Sequence, residues 1–316
     1  MRQNEGVSAS PPGRTPTAAP PMEAILSFLQ PSHSLSRRTL FAGIGTGVLG
    51  ASLGLPEKVS AEETQDGRRH LRVATFNIHH GADPHDLLDL ERVAAVIESM
   101  DLDIVGLQEV DRFWPRSNFV DQPQWLGRRL RMWTAYGANL VLPPEDGTDE
   151  AARRDREYGT LVLSKWPILT KSNVLLPKFP DGEQRGLMKT TIVTPAGPVH
   201  FANTHLQHND PAEREVQADA IVALLGPTPR RTILVGDFNA EAGTPEIDVI
   251  DTAVDDVWDA VGDGPGHTYD TIDPTVRIDY VWASADVVPR SAHVVTDDPL
   301  ASDHLPVVAE YGFRRR

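Results

Sequence analysis

From about residue 69 to the end of the chain, segments in which every second residue is apolar alternate with segments whose apolar residues recur every three or four positions. The first pattern predicts half-buried strands and the second predicts amphipathic helices. Strands outnumber helices and no long linker interrupts them, so we predict two packed sheets flanked by helices in one domain of about 250 residues. The predicted strands are 71–78, 103–110, 159–164, 187–193, 199–206, 232–235, 278–283, 292–295 and 306–311, and the predicted helices are 90–100 and 212–225.

Polar residues stand where these strands end. Five strands stop on an acid, an amide or a histidine, and a sixth polar cluster precedes the last strand. The clusters are Thr75-Phe76-Asn77, Leu107-Gln108-Glu109, Asn203-Thr204-His205, Gly236-Asp237-Phe238-Asn239, Arg277-Ile278-Asp279-Tyr280 and Ser302-Asp303-His304. Any one of them could simply be a turn that ends a strand, because Asn and Asp favour turns. Six together indicate a shared site at one edge of the sheets.

The chemistry of that site is restricted by composition. The chain has no cysteine, which excludes a cysteine nucleophile and thiolate metal ligands, so a metal site must use His, Asp, Glu and Asn. Its formal net charge of −15 argues against a protein that coats nucleic acid through a basic stripe. It does not exclude an enzyme whose metal ion supplies positive charge.

The first 61 residues differ from the rest. Residues 1–35 have no periodicity and are predicted to be disordered, with Met22 as an alternative start. In 36–61, Arg37 and Arg38 precede a glycine-rich apolar run and the small residues before Ala61, an order typical of a twin-arginine export signal. We predict export to the periplasm or the medium, with cleavage after Ala61; an uncleaved membrane anchor is the alternative. Residues 62–316 then hold 25 basic and 42 acidic side chains, a net charge of −17.

The motifs stand in a recognisable order: TFN at Thr75, QEV at Gln108, YG at Tyr158, NTH at Asn203, GDFN at Gly236, RIDYV at Arg277 and SDH at Ser302. This set resembles the endonuclease/exonuclease/phosphatase superfamily, the DNase I-like metal-dependent phosphoesterases, from Leu71 to Phe313. The resemblance implies that 62–316 is a single catalytic domain of the α+β class, folded as a four-layered α/β/β/α sandwich.

Glu109 is a hard oxygen donor at a strand end, suited to Mg²⁺. The resemblance implies that Glu109 is the principal metal ligand, with Asn77 beside it and Asp303 as a further acidic contact. Mn²⁺ and Ca²⁺ are alternatives to Mg²⁺. His79 and His80 follow directly but match no core role of the family.

Catalytic roles follow from the same resemblance. Asp237 and Asn239 lie two apart, and on an extended segment their side chains would point the same way; the resemblance implies a general base and a phosphate contact, and an Asx-turn is the alternative. Asp279 is expected to orient His304 towards a phosphoryl oxygen. His205 resembles the histidine that acts as general acid or phosphate donor on the leaving-group side.

Three residues are predicted to contact the phosphate or a headgroup. Arg116 lies in a loop with several aromatic residues, Arg185 is predicted to begin a strand, and Tyr158 resembles the tyrosine of the family that precedes a glycine. The aromatic residues could equally anchor the loop to the core.

The predicted function is an exported divalent-metal-dependent phosphoesterase that cleaves a phosphodiester or phosphomonoester by in-line attack of water. The alternatives are a sphingomyelinase-like or inositol-phosphate-directed enzyme, and a binding module without catalysis. The partner is a phosphate-ester substrate; charge does not support nucleic acid, peripheral membrane contact stays open, and the chain is expected to be a monomer.

Overall fold

The computed structural model describes residues 70–144 and 150–313. All of these belong to one compact unit, Lys58–Arg316. The predictions made for residues 1–35 and 36–61 lie outside the described residues. Within the described ranges, no helix is both long enough and apolar enough to cross a bilayer.

Twelve strands and five α-helices are present in the described residues. The strands are β1 (His70–Asn77), β2 (Ile104–Arg112), β3 (Trp133–Leu142), β4 (Arg156–Ser164), β5 (Ile168–Leu175), β6 (Gly186–Thr194), β7 (Gly197–His205), β8 (Thr232–Asp237), β9 (Asp255–Asp256), β10 (Asp279–Ala283), β11 (Val287–Val294) and β12 (Val307–Phe313). The helices are α1 (Leu90–Ser99), α2 (Gln122–Leu130), α3 (Pro211–Leu225), α4 (Pro245–Asp251) and α5 (Val257–Val261).

The strands form two six-stranded sheets that share the same pattern of parallel and antiparallel pairs. The first has the order β11-β12-β1-β2-β4-β3 and the second the order β5-β6-β7-β8-β10-β9. Each contains one parallel pair near its centre, β1 with β2 and β7 with β8, and its other pairs are antiparallel.

Three apolar layers hold the sheets and helices together. Val73 of β1 and Val235 of β8 belong to the cluster between the sheets. The outer face of the first sheet packs on α1 and α2, and that of the second packs on α3 and α4. This is the predicted four-layered sandwich, because each sheet buries one face against the other sheet and one against helices.

All nine predicted strands and both predicted helices are present. The sequence patterns missed β3, β5 and β9 among the strands and α2, α4 and α5 among the helices. Strand β5 lies at the edge of its sheet and is mostly exposed, so it carries Thr, Lys, Ser and Asn instead of an apolar alternation. Helix α2 has nine residues and includes Pro123 and Gly127, which made this segment look like a loop.

Candidate active site

The parallel pairs bring the polar strand ends to one edge of the sandwich. Asn77 ends β1, His205 ends β7 and Asp237 ends β8, while Asp279 begins β10 directly opposite Asp237. A side chain on Gly236 would clash here, because its Cβ would lie 2.5 Å from the carbonyl oxygen of Thr204 on β7. The glycine of the GDFN motif therefore lets β7 and β8 pair closely beside the site.

Glu109 reaches the same edge through a β-bulge. The pairing of β2 with β4 shifts register between Leu107 and Val110, and Glu109 has a φ of 58°. A bulge re-aims a side chain. The amide nitrogen of Asn77 donates to Oε1 of Glu109 at 3.0 Å, which shows that the bulged side chain points towards the end of β1.

The Oδ2 atom of Asp237 lies at the centre of the cluster. It accepts a hydrogen bond from the amide of Asn77 at 3.0 Å, and it lies 3.4 Å from Nε2 of His205 and 3.7 Å from Nε2 of His304. Asp237 is buried, and burial raises its pKa to about 7, although the charge of His304 opposes the shift. The carboxyl group is thus poised to take up or release a proton near neutral pH.

Asp279 orients His304. Oδ2 of Asp279 lies 2.8 Å from Nδ1 of His304, which leaves Nε2 facing Asp237. Burial alone would lower the pKa of His304, but the carboxylates of Asp279 and Asp237 raise it to about 10. The imidazole is therefore held as a cation over the neutral pH range, as expected for a ring paired with a buried carboxylate.

His205, in contrast, is held in the neutral state. Its Nδ1 lies 3.0 Å from Nη1 of Arg185. Because a guanidinium can only donate, Nδ1 accepts and the ring proton belongs on Nε2, which faces Asp237. Burial, with the charge of Arg185, lowers the pKa of His205 well below its usual value. This ring is a neutral hydrogen-bond donor in the present arrangement.

The predicted metal ligands lie together, with one difference in orientation. Burial raises the pKa of Asp303, and the nearby carboxylate of Glu109 adds to this effect. Asn77, in contrast, turns its amide nitrogen towards Glu109 and Asp237, while its oxygen accepts from the backbone of His79 at 3.1 Å. As placed, Asn77 orients the two carboxylates; its predicted role as a ligand stays a prediction.

A second group with metal-ligand chemistry is part of the same cluster. Asp237, Asp279 and His304 each present a ligand atom, and these atoms lie within 4.8 Å of one another. The edge therefore carries a compact acid and histidine set that can hold a divalent cation.

A sequence model of the endonuclease/exonuclease/phosphatase family matches residues 74–304, which include every strand-end cluster described above. The chain belongs to this family. The family joins endonucleases, exonucleases and phosphatases, which are hydrolases of phosphoric ester bonds.

Solved structures share the fold. An endonuclease/exonuclease/phosphatase from Beutenbergia cavernae is 27% identical, with 78% of this chain and 72% of that chain covered and a TM-score of 0.63. The human Nocturnin catalytic domain with bound sulfate is 21% identical, with 78% and 96% covered and a TM-score of 0.60. The Bacteroides thetaiotaomicron mannosyl-6-phosphatase is 20% identical, with 77% and 100% covered and a TM-score of 0.59. The last two show the fold alone.

A curated relative is the protein Cwh43 of Schizosaccharomyces pombe. It is 23% identical over 227 residues, which make up 70% of this chain and 22% of Cwh43. The chain therefore spans about a fifth of the length of this relative.

The expected geometry of Asn239 is wrong. Strand β8 ends at Asp237, and Asn239 has a φ of 51°, so the two side chains do not lie on one extended segment. The backbone N–H of Asn239 instead donates to Oδ1 of Asp237 at 2.9 Å, and its amide nitrogen donates to the carbonyl of Leu206 at 3.1 Å. This is the Asx-turn alternative. It fixes the Asp237 carboxylate without removing Asn239 from the edge of the site.

The three predicted phosphate contacts already have protein partners. Arg116 forms two hydrogen bonds to the buried Asp111, both 2.8 Å, and its guanidinium lies over the rings of Trp114 and Tyr158. Arg185, which immediately precedes β6, pairs with Glu183 at 2.9 Å as well as with His205. Arg116 keeps 42% of its side chain exposed, so it is the more accessible of the two arginines.

Tyr269 lies beside His304, although no sequence pattern indicated it. Its ring centroid lies 4.8 Å from that of His304, and its backbone pairs with His304 in an isolated bridge. The residue is 39% exposed, so Tyr269 covers one side of the His304 imidazole and also faces solvent. No polar strand end marks it, because it belongs to the irregular segment that leads to β10.

Proposed function

We propose that this chain is a divalent-metal-dependent phosphoesterase that cleaves its ester by in-line attack of water. The observation that carries the proposal is the convergence on Oδ2 of Asp237: the amide of Asn77 and the Nε2 atoms of His205 and His304 surround a buried carboxylate. Such preorganised groups suit the charge and proton transfers of phosphoryl transfer.

The protonation state of each side chain indicates its role in the reaction. Asp237, with its raised pKa, accepts the proton of the attacking water. His304, kept cationic by Asp279, donates to a phosphoryl oxygen. His205, neutral and fixed by Arg185, donates through Nε2. The sequence-based role of His205 as a proton-releasing acid fits its low pKa less well than a role as neutral donor.

Glu109 and Asp303 would hold the cation. Their carboxylates lie close enough for the charge of Glu109 to raise the pKa of Asp303, and a cation between them would relieve that repulsion. Oxygen donors of this kind fit Mg²⁺, with Mn²⁺ and Ca²⁺ as alternatives. When bound, the ion supplies charge stabilisation for the phosphoryl oxygens and the leaving group.

The substrate we favour is a small phosphate ester or a phosphate headgroup. The net charge of −17 for residues 62–316 weakens binding to long polyanions. Proteins that share the fold include a mannosyl-6-phosphatase and a TDP2 of D. rerio complexed with a single-stranded DNA product, so the fold by itself does not select a substrate class.

A lipid headgroup is the second candidate, favoured by exposed apolar side chains near the site. Ile272, three residues after Tyr269, is 61% exposed. Leu87 is 66% exposed and follows Asp86, whose Oδ1 lies 3.6 Å from Nε2 of His79. A sphingomyelinase-like or inositol-phosphate-directed activity would use such side chains against a membrane surface.

Hydrolysis assays test the proposal. The purified full chain is incubated with excess Mg²⁺, Mn²⁺ or Ca²⁺ and offered sugar phosphates, inositol phosphates, phospholipid vesicles, nucleic acids and bis-p-nitrophenyl phosphate. Turnover that survives chelation would contradict metal dependence, and preferential cleavage of nucleic acid would contradict the substrate class.

Glu109→Gln gives the matched test of the metal site. We expect metal-dependent turnover to fall on the order of 10²-fold or more, because the proposed ligand loses its charge. Glu215→Gln, on an exposed position of α3, is the control and should keep full activity. Equal activity of the two variants would remove Glu109 from the mechanism.

We also propose that the chain is exported through the twin-arginine signal and works as a monomer. The support for export is the Arg37-Arg38 pair and the absence of cysteine, which fits a protein that folds before export. Unchanged export of an Arg37→Lys/Arg38→Lys variant would contradict the first point, and a dimer mass in light scattering would contradict the second.

A further inference from the structure

We propose that His79, His80 and Asp86 form a separate divalent-cation site of the zinc class beside the catalytic centre. One ring nitrogen of each histidine and one carboxylate oxygen of Asp86 lie within 4.8 Å of one another. The pair Nε2 of His79 and Oδ1 of Asp86 lies at 3.6 Å. Ligand atoms of a tetrahedral zinc ion, each about 2.0–2.2 Å from the metal, lie about 3.4 Å apart, so this pair is already close to coordinating distance.

The tautomer of His79 suits a metal ligand. Its Nδ1 lies 3.2 Å from the carbonyl oxygen of Asp83, which can only accept, so the ring proton belongs on Nδ1. The lone pair of Nε2 then faces Asp86. A histidine whose second nitrogen donates to a backbone carbonyl is the usual arrangement of a metal-binding imidazole.

His80 supplies an independent observation. The residue is only 8% exposed, and its Nδ1 is buried with no hydrogen-bond partner among the described residues. A buried ring nitrogen without a partner costs free energy. A small shift of the ring towards a bound cation would give Nδ1 of His80 a partner that the described residues do not supply.

The backbone around the three side chains is held in place. Oδ1 of Asp83 accepts from the backbone of His85 at 2.8 Å and of Leu87 at 2.9 Å, which closes the turn that carries Asp86. The carbonyl of His80 accepts from Gln122 at 2.6 Å. His79 and His80 both have positive φ angles, 44° and 46°, a conformation that non-glycine residues adopt only when the surroundings enforce it.

The donor set separates this site from the one predicted for Mg²⁺. Two imidazoles and one carboxylate favour zinc and similar ions, whereas carboxylate and amide oxygens favour Mg²⁺. The two sites are neighbours, since Nδ1 of His79 lies 4.0 Å from Oδ1 of Asp303. The proposal does not depend on catalysis, because it concerns binding alone.

Zinc titration of the full chain tests it. Protein stripped with a chelator is titrated with Zn²⁺ against a chromogenic chelator in excess Mg²⁺, and one saturable equivalent is expected. Asp86→Asn changes an exposed carboxylate that the fold does not need, and should weaken zinc binding at least about tenfold; His79→Gln should weaken it further. His85→Ala, an exposed histidine of the same turn, is the control and should bind as the unchanged chain does.

Three results would overturn the proposal. The first is no saturable zinc binding by the unchanged chain. The second is equal affinity for the unchanged chain, Asp86→Asn and a His79→Gln variant that circular dichroism shows to be folded. The third is zinc binding that survives Asp86→Asn but is lost in Asp279→Asn, which would place the ion in the catalytic cluster.

Discussion

Asp237 and the two histidines beside it owe their charge states to their surroundings. Asp279 and Asp237 keep His304 cationic, Arg185 and burial keep His205 neutral, and burial brings the pKa of Asp237 to about 7. The residue types could be read from the motifs. The assignment of one imidazole as a cation and the other as a neutral donor could not, because it depends on which group faces each Nδ1 atom.

Asp279→Asn should separate orientation from charge. The amide can still contact Nδ1 of His304 but removes the largest effect that raises the pKa of His304, so this pKa should fall. His304 would then lose its proton at a lower pH than about 10, and the alkaline limb of the kcat profile should move to lower pH. We expect kcat near neutral pH to fall on the order of 10²–10⁴-fold.

The pH profile of kcat with bis-p-nitrophenyl phosphate checks this expectation. An alkaline limb that stays in place in Asp279→Asn would contradict an imidazolium role for His304, even if kcat fell. Asp263→Asn, in a solvent-facing segment between α5 and β10, is the control and should leave the profile unchanged.

Helix α4 illustrates electrostatics at the scale of one element. Asp248 lies in its first turn, where a negative charge interacts favourably with the helix dipole, and Asp251 lies at its last position, where it does not. Partial burial and the neighbouring acids Asp256 and Asp259 raise the pKa of Asp251 to about 6.

Asp251→Asn should therefore stabilise the chain above neutral pH. The folded-state pKa of about 6 exceeds the usual 3.8, so the native state binds this proton more tightly than the unfolded chain. The contribution of Asp251 to stability is most favourable below about pH 4 and is lost as the pH rises through about 6. Because Asp251 is largely exposed, we expect a gain of no more than about 0.5 kcal/mol at pH 8.

Urea unfolding at pH 4 and pH 8 measures the difference. Asp248→Asn is the matched control and should change stability at pH 8 in the opposite direction, because it removes a favourable first-turn charge. A gain for Asp251→Asn that is the same at both pH values would show that charge is not its cause.

Element prediction succeeded where the pattern was strong. Strands β1, β2, β7 and β8 are buried on both faces or nearly so, and their apolar runs identified them. Strand β5 lies at a sheet edge and is stabilised by pairing with β6. Its own side chains show no alternation that would predict a strand.

Two buried amides join the two sheets of the whole molecule. Gln108 of β2 donates to Oδ1 of Asn203 of β7 at 2.7 Å and to Thr75 at 3.0 Å. Asn203 in turn donates to the carbonyls of Leu107 and Leu161, at 2.9 and 3.0 Å. Both amides are fully buried between the sheets that carry the two halves of the candidate site.

Gln108→Leu and Asn203→Leu test this connection as a double-mutant cycle. Each single change leaves buried partners unpaired and should cost about 1–3 kcal/mol. Because the two side chains contact each other, the double variant should lose less than the sum, with a coupling of about 0.5–3 kcal/mol. Urea unfolding of the four proteins measures it, and additive losses would show that the amides act independently.

The sequence by itself determined the residue chemistry, most of the strands, the order of the motifs and hence the family. It did so because apolar periodicity and short polar clusters are local properties. Only the tertiary structure decided that Oδ2 of Asp237 is the meeting point, that Asn239 closes a turn, that Tyr269 covers His304 and that Asp86 lies beside His79. These contacts join residues far apart in the chain or depend on local backbone angles, and both are set by how the strands pair and the sheets pack.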